Sequence, residues 1–249
     1  MHEVKFLIPA GQAEDVRAWA RQRLDPDPNA EGVARDTYRT TSLYFDTPAF
    51  SVFHRDGSYG RAKYRIRRYD AAATVFLERK LRANGVVAKR RTLVALDELC
   101  ELEKSDPKWR GNWFRRRVAA RGMSPLCQIS YQRTALVAES DAGPIRLTVD
   151  DGLCASRVAV AAFPPLAGGV PLLNSQSILE MKFRMVMPAV FQEMVEVFGL
   201  AAQPVSKYRL AIPALGDPSY QRGSMRSQLG STCCRISATS SRLRNGILL

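Results

Sequence analysis

Three positive charges alternate with apolar residues in Lys63-Tyr64-Arg65-Ile66-Arg67. Successive side chains of a β-strand point to opposite faces, so a strand here places the three cations on one face and Tyr64 and Ile66 on the other. A charged strand face is usually the solvent side of an antiparallel sheet. However, because three like charges in a row repel one another, a solvent-exposed sheet face is a poor explanation of this strand. The pattern therefore favours a strand whose charged face meets an anionic partner.

A second pattern, Glu-x-Lys, occurs three times, at Glu3-Val4-Lys5, Glu78-Arg79-Lys80 and Glu180-Met181-Lys182. In a strand, each copy puts an acid and a base side by side on one face. Lys89-Arg90-Arg91 repeats the same-face arrangement with two cations. Several strands with this pattern indicate a sheet with one strongly charged face.

If such a sheet closes on itself, the charged faces line a polar interior rich in cations. Lysine and arginine bind phosphate oxygens, and arginine can make two hydrogen bonds at once. The few carboxylates can hold a divalent metal that bridges phosphates. Arg133, Arg146 and the pair Ser206-Lys207 fit this scheme, although each taken singly is equally explained as an exposed polar residue. The pattern favours a polyphosphorylated ligand.

The rest of the chain predicts an α+β domain, with many strands and a few flanking helices. Apolar residues at helical spacing predict helices near 12–24 and 187–198, and a broken helical stretch within 96–121. Alternating and β-branched segments, many of them bounded by turn residues, predict the strands. These strands are 2–9, 38–46, 61–69, 73–81, 86–94, 127–139, 144–151, 177–184 and 206–212.

Composition narrows the function classes. The chain has 249 residues and a formal net charge of +13, which makes an anionic partner plausible without identifying it. The N-terminus lacks the basic-then-apolar order of a secretory signal, and no segment is long and apolar enough to span a membrane, so we expect a cytoplasmic protein. The five cysteines form no Cys-x-x-Cys pair and there are two histidines, which argues against a zinc site and a histidine-based triad.

The last part of the chain differs in character from the rest. Residues 215–249 are rich in serine and arginine and have few large apolar residues before the final Ile-Leu-Leu. This composition predicts a domain over 1–214 followed by a basic, poorly ordered tail. A solvated terminus without a dedicated role is the simpler interpretation of the tail, and docking to a partner is the alternative.

In their order along the chain, these motifs resemble the polyphosphate polymerase (VTC) domain, a member of the triphosphate tunnel metalloenzymes related to the CYTH group. The resemblance spans about residues 1–213. It is carried by the motifs named above together with Ser42-Leu43-Tyr44-Phe45-Asp46, Tyr131-Gln132-Arg133-Thr134, Arg146-Leu147-Thr148-Val149-Asp150 and Val205-Ser206-Lys207-Tyr208. It implies an antiparallel β-barrel tunnel whose inner wall binds a triphosphate or polyphosphate chain.

The resemblance also implies roles for individual residues. Arg65, Arg67, Lys80 and Arg133 would bind phosphate at the reacting centre, and Glu180 would bind a divalent metal, Mn²⁺ or Mg²⁺. The full set of implied phosphate ligands is Lys5, Arg65, Arg67, Lys80, Lys89, Arg133, Arg146, Ser206 and Lys207. Glu3, Glu78 and Lys182 share the same strand faces without an assigned role. Some relatives carry Glu-x-Glu-x-Lys in the first strand, where this chain has Met1 in place of the first glutamate.

By this resemblance we expect a metal-dependent transferase that moves the γ-phosphate of a nucleoside triphosphate such as ATP to a polyphosphate chain. A terminal phosphate is already anionic, so its attack needs positioning and charge neutralisation more than a general base. Two alternatives stay open: a hydrolase of the same fold, in which Glu3 or Glu78 orients water, and a non-catalytic polyphosphate-binding module. The expected partners are nucleoside triphosphate and polyphosphate. Specific nucleic-acid binding is not expected, and a membrane-associated partner is left open.

Overall fold

The structure is a computed structural model, and it describes residues 2–28, 36–83, 86–104, 106–165 and 168–216. The predicted tail from residue 217 onward, the turn at Gly85 and Met1 lie outside the described residues. The elements are ten strands and five α-helices, with two 3-10 turns at Tyr59–Arg61 and Asp97–Leu102. The strands are β1 (His2–Pro9), β2 (Asp25–Pro26), β3 (Thr37–Asp46), β4 (Ala62–Tyr69), β5 (Thr74–Ala83), β6 (Val86–Ala95), β7 (Ser124–Ser140), β8 (Gly143–Arg157), β9 (Val170–Pro171) and β10 (Gln176–Phe183). The helices are α1 (Ala10–Arg21), α2 (Ser51–His54), α3 (Asn112–Ala119), α4 (Ala189–Val197) and α5 (Lys207–Ala214).

The long strands form one antiparallel sheet in the order β1-β10-β8-β7-β3-β4-β5-β6, with β2 paired to β7 and β9 to β8. Backbone hydrogen bonds do not join the two edge strands β1 and β6 among the described residues. Side chains span the open side instead, because Lys80 Nζ on β5 lies 3.4 Å from Glu3 Oε2 on β1. The sheet is thus an antiparallel β-barrel tunnel with flanking helices, as predicted.

The outer face of the sheet carries the apolar core. Phe6, Leu147 and Met181 from β1, β8 and β10 pack with Val16 of α1 and Phe191 of α4 in one buried cluster. Burying each large side chain of this kind contributes roughly 1.5–3 kcal/mol. Because apolar residues alternate with charged ones on these strands, packing the helices outside directs the charges inward.

Helix α3 covers the outer face of β4 and β5 at a second core. Phe114 is fully buried and makes edge-on contacts with Phe45 and Tyr64, at ring-centroid distances of 5.3 and 5.8 Å. Gly111 at the start of this helix permits the approach, since a Cβ atom there would lie 2.4 Å from the Trp109 ring and 2.5 Å from Leu77 Cδ1. This packing fixes which face of β4 points into the tunnel.

The strand predicted over 206–212 is wrong, because these residues form most of helix α5. Its buried residues Tyr208, Ala211 and Ile212 recur at helical spacing and pack into the larger core cluster. The remaining predicted strands and helices lie where the sequence patterns placed them, with ends shifted by a few residues. None of the helices within the described ranges is long and apolar enough to cross a membrane.

Candidate functional site

The strand register brings the charged residues onto a single face, here called the inner face. On β4, Lys63 and Arg65 are paired with Lys80 and Glu78 of β5, and these continue to Lys89 and Arg91 of β6. On the other side of the tunnel, Lys5 of β1 is paired with Glu180 of β10, and Glu180 with Thr148 of β8. The predicted site residues on strands, including Glu3, Lys182 and Arg146, therefore lie on one continuous wall, while Ser206 and Lys207 lie at the N-terminus of α5.

Glu78 is the centre of one ionic cluster, here called the Glu78 cluster. Its carboxylate lies 2.6 Å from Arg65 Nε, 3.1 Å from Arg91 Nε and 3.2 Å from Lys89 Nζ. Burial alone would raise the pKa of Glu78, but Arg65, Arg67 and Lys89 lower it to about 2. The carboxylate is therefore ionised near neutral pH and holds two arginines and a lysine in place.

Glu180 and Glu3 form a second cluster, here called the Glu180 cluster. Glu180 lies 2.5 Å from Lys182 Nζ and 3.3 Å from Lys5 Nζ, and Lys5 Nζ lies 2.8 Å from Glu3. Burial raises the pKa of Glu180, but Lys182 and Lys5 outweigh this effect and lower that pKa below its usual range. Two carboxylates thus share two ammonium groups at the junction of β1 and β10.

The third cluster is centred on Asp150, which is fully buried on β8. Arg133 donates two hydrogen bonds to it, from Nε at 2.6 Å and from a terminal nitrogen at 2.8 Å, and Lys207 Nζ lies 2.5 Å away. Burial opposes ionisation, but Arg133 and Lys207 lower the pKa of Asp150 to about 2. This Asp150 cluster ties helix α5 to the wall of the tunnel.

Arg67 differs from these residues because no carboxylate lies within 4.0 Å of it among the described residues. Its guanidinium donates to Ser42 Oγ at 3.0 Å and to Tyr131 Oη at 3.2 Å, and only 6% of the residue is exposed. A buried cation that has neutral partners only is costly unless an anion completes its coordination. Arg67 is therefore a buried inner-face cation whose hydrogen-bond partners among the described residues are neutral.

The buried hydroxyls of Thr40 and Thr148 on the inner face also find no hydrogen-bond partner in the part of the chain that the structure describes. Thr148 is paired across the sheet with Glu180, and Thr40 with Tyr131. Buried hydroxyls are normally hydrogen-bonded. Their position between the Arg67 and Glu180 sites is consistent with an oxygen-rich ligand in the tunnel.

The cations of the inner face outnumber its carboxylates. The cations are Lys5, Lys63, Arg65, Arg67, Lys80, Lys89, Arg91, Arg133, Arg146, Lys182 and Lys207, and the carboxylates are Glu3, Glu78, Asp150 and Glu180. Arg146 Nη2 contacts Asp27 at 2.7 Å and Tyr38 Oη at 3.0 Å near the end of β8. The inner face therefore carries an excess of positive charge, and each of its carboxylates contacts at least one cation.

The comparisons with known proteins agree with this geometry. The sequence profile of the VTC domain matches residues 1–215. The chain belongs to the VTC domain family. No curated protein matches this VTC domain in sequence.

Similar solved structures include two putative cyclases and one protein from an archaeon. A putative adenylate cyclase from Bacillus halodurans is 15% identical over 82% of this chain and 92% of its own, with a TM-score of 0.49. A putative adenylyl cyclase from Hippeastrum, for which a dominant triphosphatase activity is described, is 17% identical over 87% and 97%, with a TM-score of 0.47. A Pyrococcus horikoshii protein is 12% identical over 84% and 97%, with a TM-score of 0.46.

The residues of this VTC domain fit a divalent metal on the condition that phosphates and water supply most of its ligands. Among the described residues, no group of three His, Cys, Asp or Glu side chains is placed to hold an ion. Mg²⁺ and Mn²⁺ are, however, commonly bound through one or two carboxylates while phosphates and water supply the other ligands. Glu180, with Glu3 beside it across Lys5, is a donor set of that kind.

The sequence analysis missed three residues that the VTC domain places among the predicted ones. Tyr131 is buried, accepts a hydrogen bond from Arg67 and lies under the cations of Arg133 and Lys207, at 5.3 and 4.7 Å from its ring centre. Asp150 orients Arg133, and Arg91 completes the Glu78 cluster. Tyr131 and Arg91 each lie two residues from a predicted site residue, and Asp150 lies four residues from Arg146. Such even spacing along a strand is the signal that could have found them.

Proposed function

We propose that this VTC domain is a metal-dependent polyphosphate polymerase that transfers the γ-phosphate of a nucleoside triphosphate to a polyphosphate chain inside the tunnel. One observation carries the proposal: the inner-face carboxylates are neutralised by lysine and arginine rather than free to accept a proton. A carboxylate with a pKa near 2, such as Glu78, is a weak base near neutral pH. The site is therefore suited to a nucleophile that is already anionic, which the end of a polyphosphate chain is.

The same observation weighs against the hydrolase alternative. Water is a poor nucleophile and needs a base to orient or deprotonate it. The two candidates for that role, Glu3 and Glu78, each have a lowered pKa and contact lysine or arginine. Glu3 contacts Lys5 at 2.8 Å and Lys80 at 3.4 Å, so its carboxylate oxygens point at ammonium groups.

In the proposed mechanism, the triphosphate binds to cations that the carboxylates continue to hold in place. The triphosphate lies along the inner face and receives hydrogen bonds from Arg67, Arg65 and Arg133, and Lys5, Lys80 and Lys89 neutralise its remaining oxygens. Glu78 and Asp150 stay ionised and hold Arg65 and Arg133 in fixed orientations, so that little reorganisation is needed during the reaction. A bound divalent metal held by Glu180 would neutralise charge on the phosphate oxygens.

The remaining predicted residues bind phosphate at the ends of the tunnel in this proposal. Ser206 and Lys207 stand at the N-terminus of α5, and Arg146 at the end of β8, each beside the inner face. This cradle brings a terminal oxygen of the chain against the γ-phosphorus, which converts their encounter into an intramolecular step. A P–O bond to the chain end forms, the bond between the γ-phosphorus and the β–γ bridging oxygen breaks, and the nucleoside diphosphate leaves with that oxygen and its electron pair. A cytoplasmic location, where nucleoside triphosphates are abundant, goes with this proposal.

The test is to incubate the purified domain with ATP and Mn²⁺ and to separate long-chain polyphosphate from free phosphate on a gel. We expect chains to form and the activity to disappear after chelation of the metal. Glu180→Gln should abolish chain formation, while Glu139→Gln, an exposed acid on β7, should leave it unchanged. Free phosphate without chains would favour the hydrolase, and tight binding of tripolyphosphate without turnover would favour a binding module.

A further inference from the structure

A cavity of about 740 Å³ borders the inner face at Lys5 and Lys63, where α5 and the end of α2 approach β1 and β4. Its lining includes Arg55, Lys63, Arg209 and Ser206, with Lys5 and Glu3 on the side toward the tunnel. Glu3 is already in contact with Lys5 and Lys80. The cavity thus opens from the inner face and adds cations beyond those of the predicted site.

No carboxylate lies within 4.0 Å of Arg55, Lys63 or Arg209 among the described residues. Lys63 has a weak contact with Ser206 Oγ at 3.4 Å, and Arg209 lies over the Phe53 ring at 5.3 Å from its centre. Burial together with the nearby Arg55 lowers the pKa of Arg209, and burial with Lys5, Lys80 and Arg55 lowers that of Lys63. Clustered cations without counterions indicate an anionic occupant.

The backbone holds these cations in place. Arg55 has a left-handed conformation, with φ of +64°, which is uncommon for a residue with a side chain. Gly60 packs against it so closely that a Cβ atom there would lie 2.8 Å from the Arg55 carbonyl oxygen. Asp46 then links the two elements, because it accepts hydrogen bonds from the backbone of Val52 and Phe53 in α2 and from Tyr208 Oη in α5.

We propose that Arg55, Lys63 and Arg209, together with Ser206, form a phosphate-binding station outside the tunnel that holds the polyphosphate chain where it leaves the inner face. This station, here called the mouth station, rests on the proposed function. Lys63 connects it to the tunnel, because it shares a strand face with Arg65 and is paired across the sheet with Lys80. In this proposal, a polyphosphate chain that extends along the inner face past Lys63 reaches Arg55 and Arg209 next, and a tripolyphosphate bound at Arg65 and Lys80 makes no contact with them.

The test compares two probes, inorganic tripolyphosphate and long-chain polyphosphate, by isothermal titration calorimetry on the full chain. The variant is Arg55→Asn/Arg209→Gln, in which asparagine tolerates the left-handed backbone at position 55. The control is Arg116→Gln/Arg117→Gln, which removes the same charge from exposed positions of α3 on the outer side. Thermal unfolding of each variant checks that the domain is folded.

We expect the double variant to lose about tenfold or more of its affinity for long-chain polyphosphate, since each lost charge-assisted contact weakens binding severalfold. Its affinity for tripolyphosphate should change less than about twofold. The control should behave as wild type with both probes. The single variant Arg55→Asn repeats the test at an exposed residue. It should show the same selective loss of affinity for long-chain polyphosphate, but a smaller one.

Two results would overturn the mouth station. One is unchanged long-chain affinity in the double variant, and the other is an equal loss for both probes, which would mean a general electrostatic effect. Failure of the proposed function is visible separately, as wild-type protein that does not bind tripolyphosphate. In that case the long-chain probe alone decides whether Arg55 and Arg209 bind a polyanion.

Discussion

At the scale of single residues, the tunnel has two kinds of cation. Arg65 and Arg133 are held by carboxylates and are fixed before any ligand arrives. Arg67 has neutral partners only, so its charge is left for the ligand to satisfy. This division explains why carboxylates occur in a site for anions: they orient some of the cations while others supply the net positive charge.

The Asp150 cluster permits a sharp test of the cations that carboxylates hold in place. Asp150→Asn leaves Arg133 and Lys207 as buried cations without their carboxylate, and we expect a loss of about 3 kcal/mol or more in the free energy of unfolding. Urea titration at neutral pH measures the loss. Tripolyphosphate should restore more stability to this variant than to wild type, because the ligand supplies the missing negative charge.

The pH dependence of stability has a definite sign at this residue. Asp150 has a pKa of about 2 in the folded protein against 3.8 as its ordinary value. Its contribution to stability, about 2 kcal/mol, is therefore fully present above about pH 4 and is lost as the pH falls toward 2. The difference in unfolding free energy between wild type and Asp150→Asn should shrink over that range. A difference that stays constant with pH would contradict the ion-pair role.

At the scale of elements, the long strands could be predicted from the sequence, whereas the two-residue strands β2 and β9 and helix α5 could not. Alternation between charged and apolar residues, as in Lys63 to Arg67, specifies both the strand and the face that packs outward. In α5 the segment Ser206-Lys207-Tyr208-Arg209 also alternates, and this local pattern suggested another strand. The helical spacing of Tyr208, Ala211 and Ile212 becomes decisive only when the core that receives them is known.

The features of the candidate site also divide into those that could be predicted from the sequence and those that could not. Residues on the strand faces, such as Arg67 and Glu180, followed from the period of two, because the register of an antiparallel sheet brings equal faces together. The partners of each cation could not be read from the sequence. Asp150 meets Lys207, and Arg55 approaches Arg209, through the docking of α5 and α2, which depends on tertiary packing rather than on local pattern.

Besides the contact of Lys207 with Asp150, helix α5 is anchored by a buried hydrogen bond from Tyr208 Oη to Asp46 Oδ2, at 2.5 Å. Tyr208→Phe removes this bond and leaves an Asp46 oxygen with one partner fewer, so we expect a loss of about 1–2 kcal/mol in the free energy of unfolding. Tyr64→Phe is the matched control, since Tyr64 is equally buried and its hydroxyl has no hydrogen bond among the described residues. Chemical denaturation measures both variants.

Hydrogen exchange separates a local effect from a global one. Because Asp46 also holds the backbone of α2, the Tyr208→Phe variant should exchange faster in both α5 and α2 than in the sheet. Uniformly faster exchange throughout the domain would mean that the bond stabilises the whole fold and does not specifically join these two elements.

At the scale of the whole molecule, the structure shows where much of the net charge of +13 lies. Part of the charge lies on the inner face, where cations outnumber carboxylates. Like charges confined in this way repel one another in the ligand-free protein, and a polyanion removes the repulsion when it binds. The fold is therefore strained electrostatically in the absence of its ligand.

This strain predicts opposite responses to salt. Raising the NaCl concentration from about 0.05 to 0.5 M screens the repulsion, so the ligand-free domain should gain thermal stability, while its affinity for tripolyphosphate should fall severalfold. On the same protein, differential scanning calorimetry measures the change in thermal stability, and isothermal titration calorimetry measures the change in affinity for tripolyphosphate. A gain or a loss in both quantities together would contradict a tunnel filled with uncompensated positive charge.

Arg67 and Arg90 offer a matched pair for this experiment, because both are strand arginines that lie on opposite faces of the sheet. Arg67→Met removes a buried inner charge that no carboxylate of the described residues contacts, and Arg90→Met removes an outer charge that lies over Trp113 at 4.3 Å from its ring centre. The inner variant should reduce the stabilising effect of salt and weaken tripolyphosphate binding about tenfold or more, whereas the outer variant should change neither. If both variants respond alike, the repulsion belongs to the total charge of the chain, and the tunnel is not where it is concentrated.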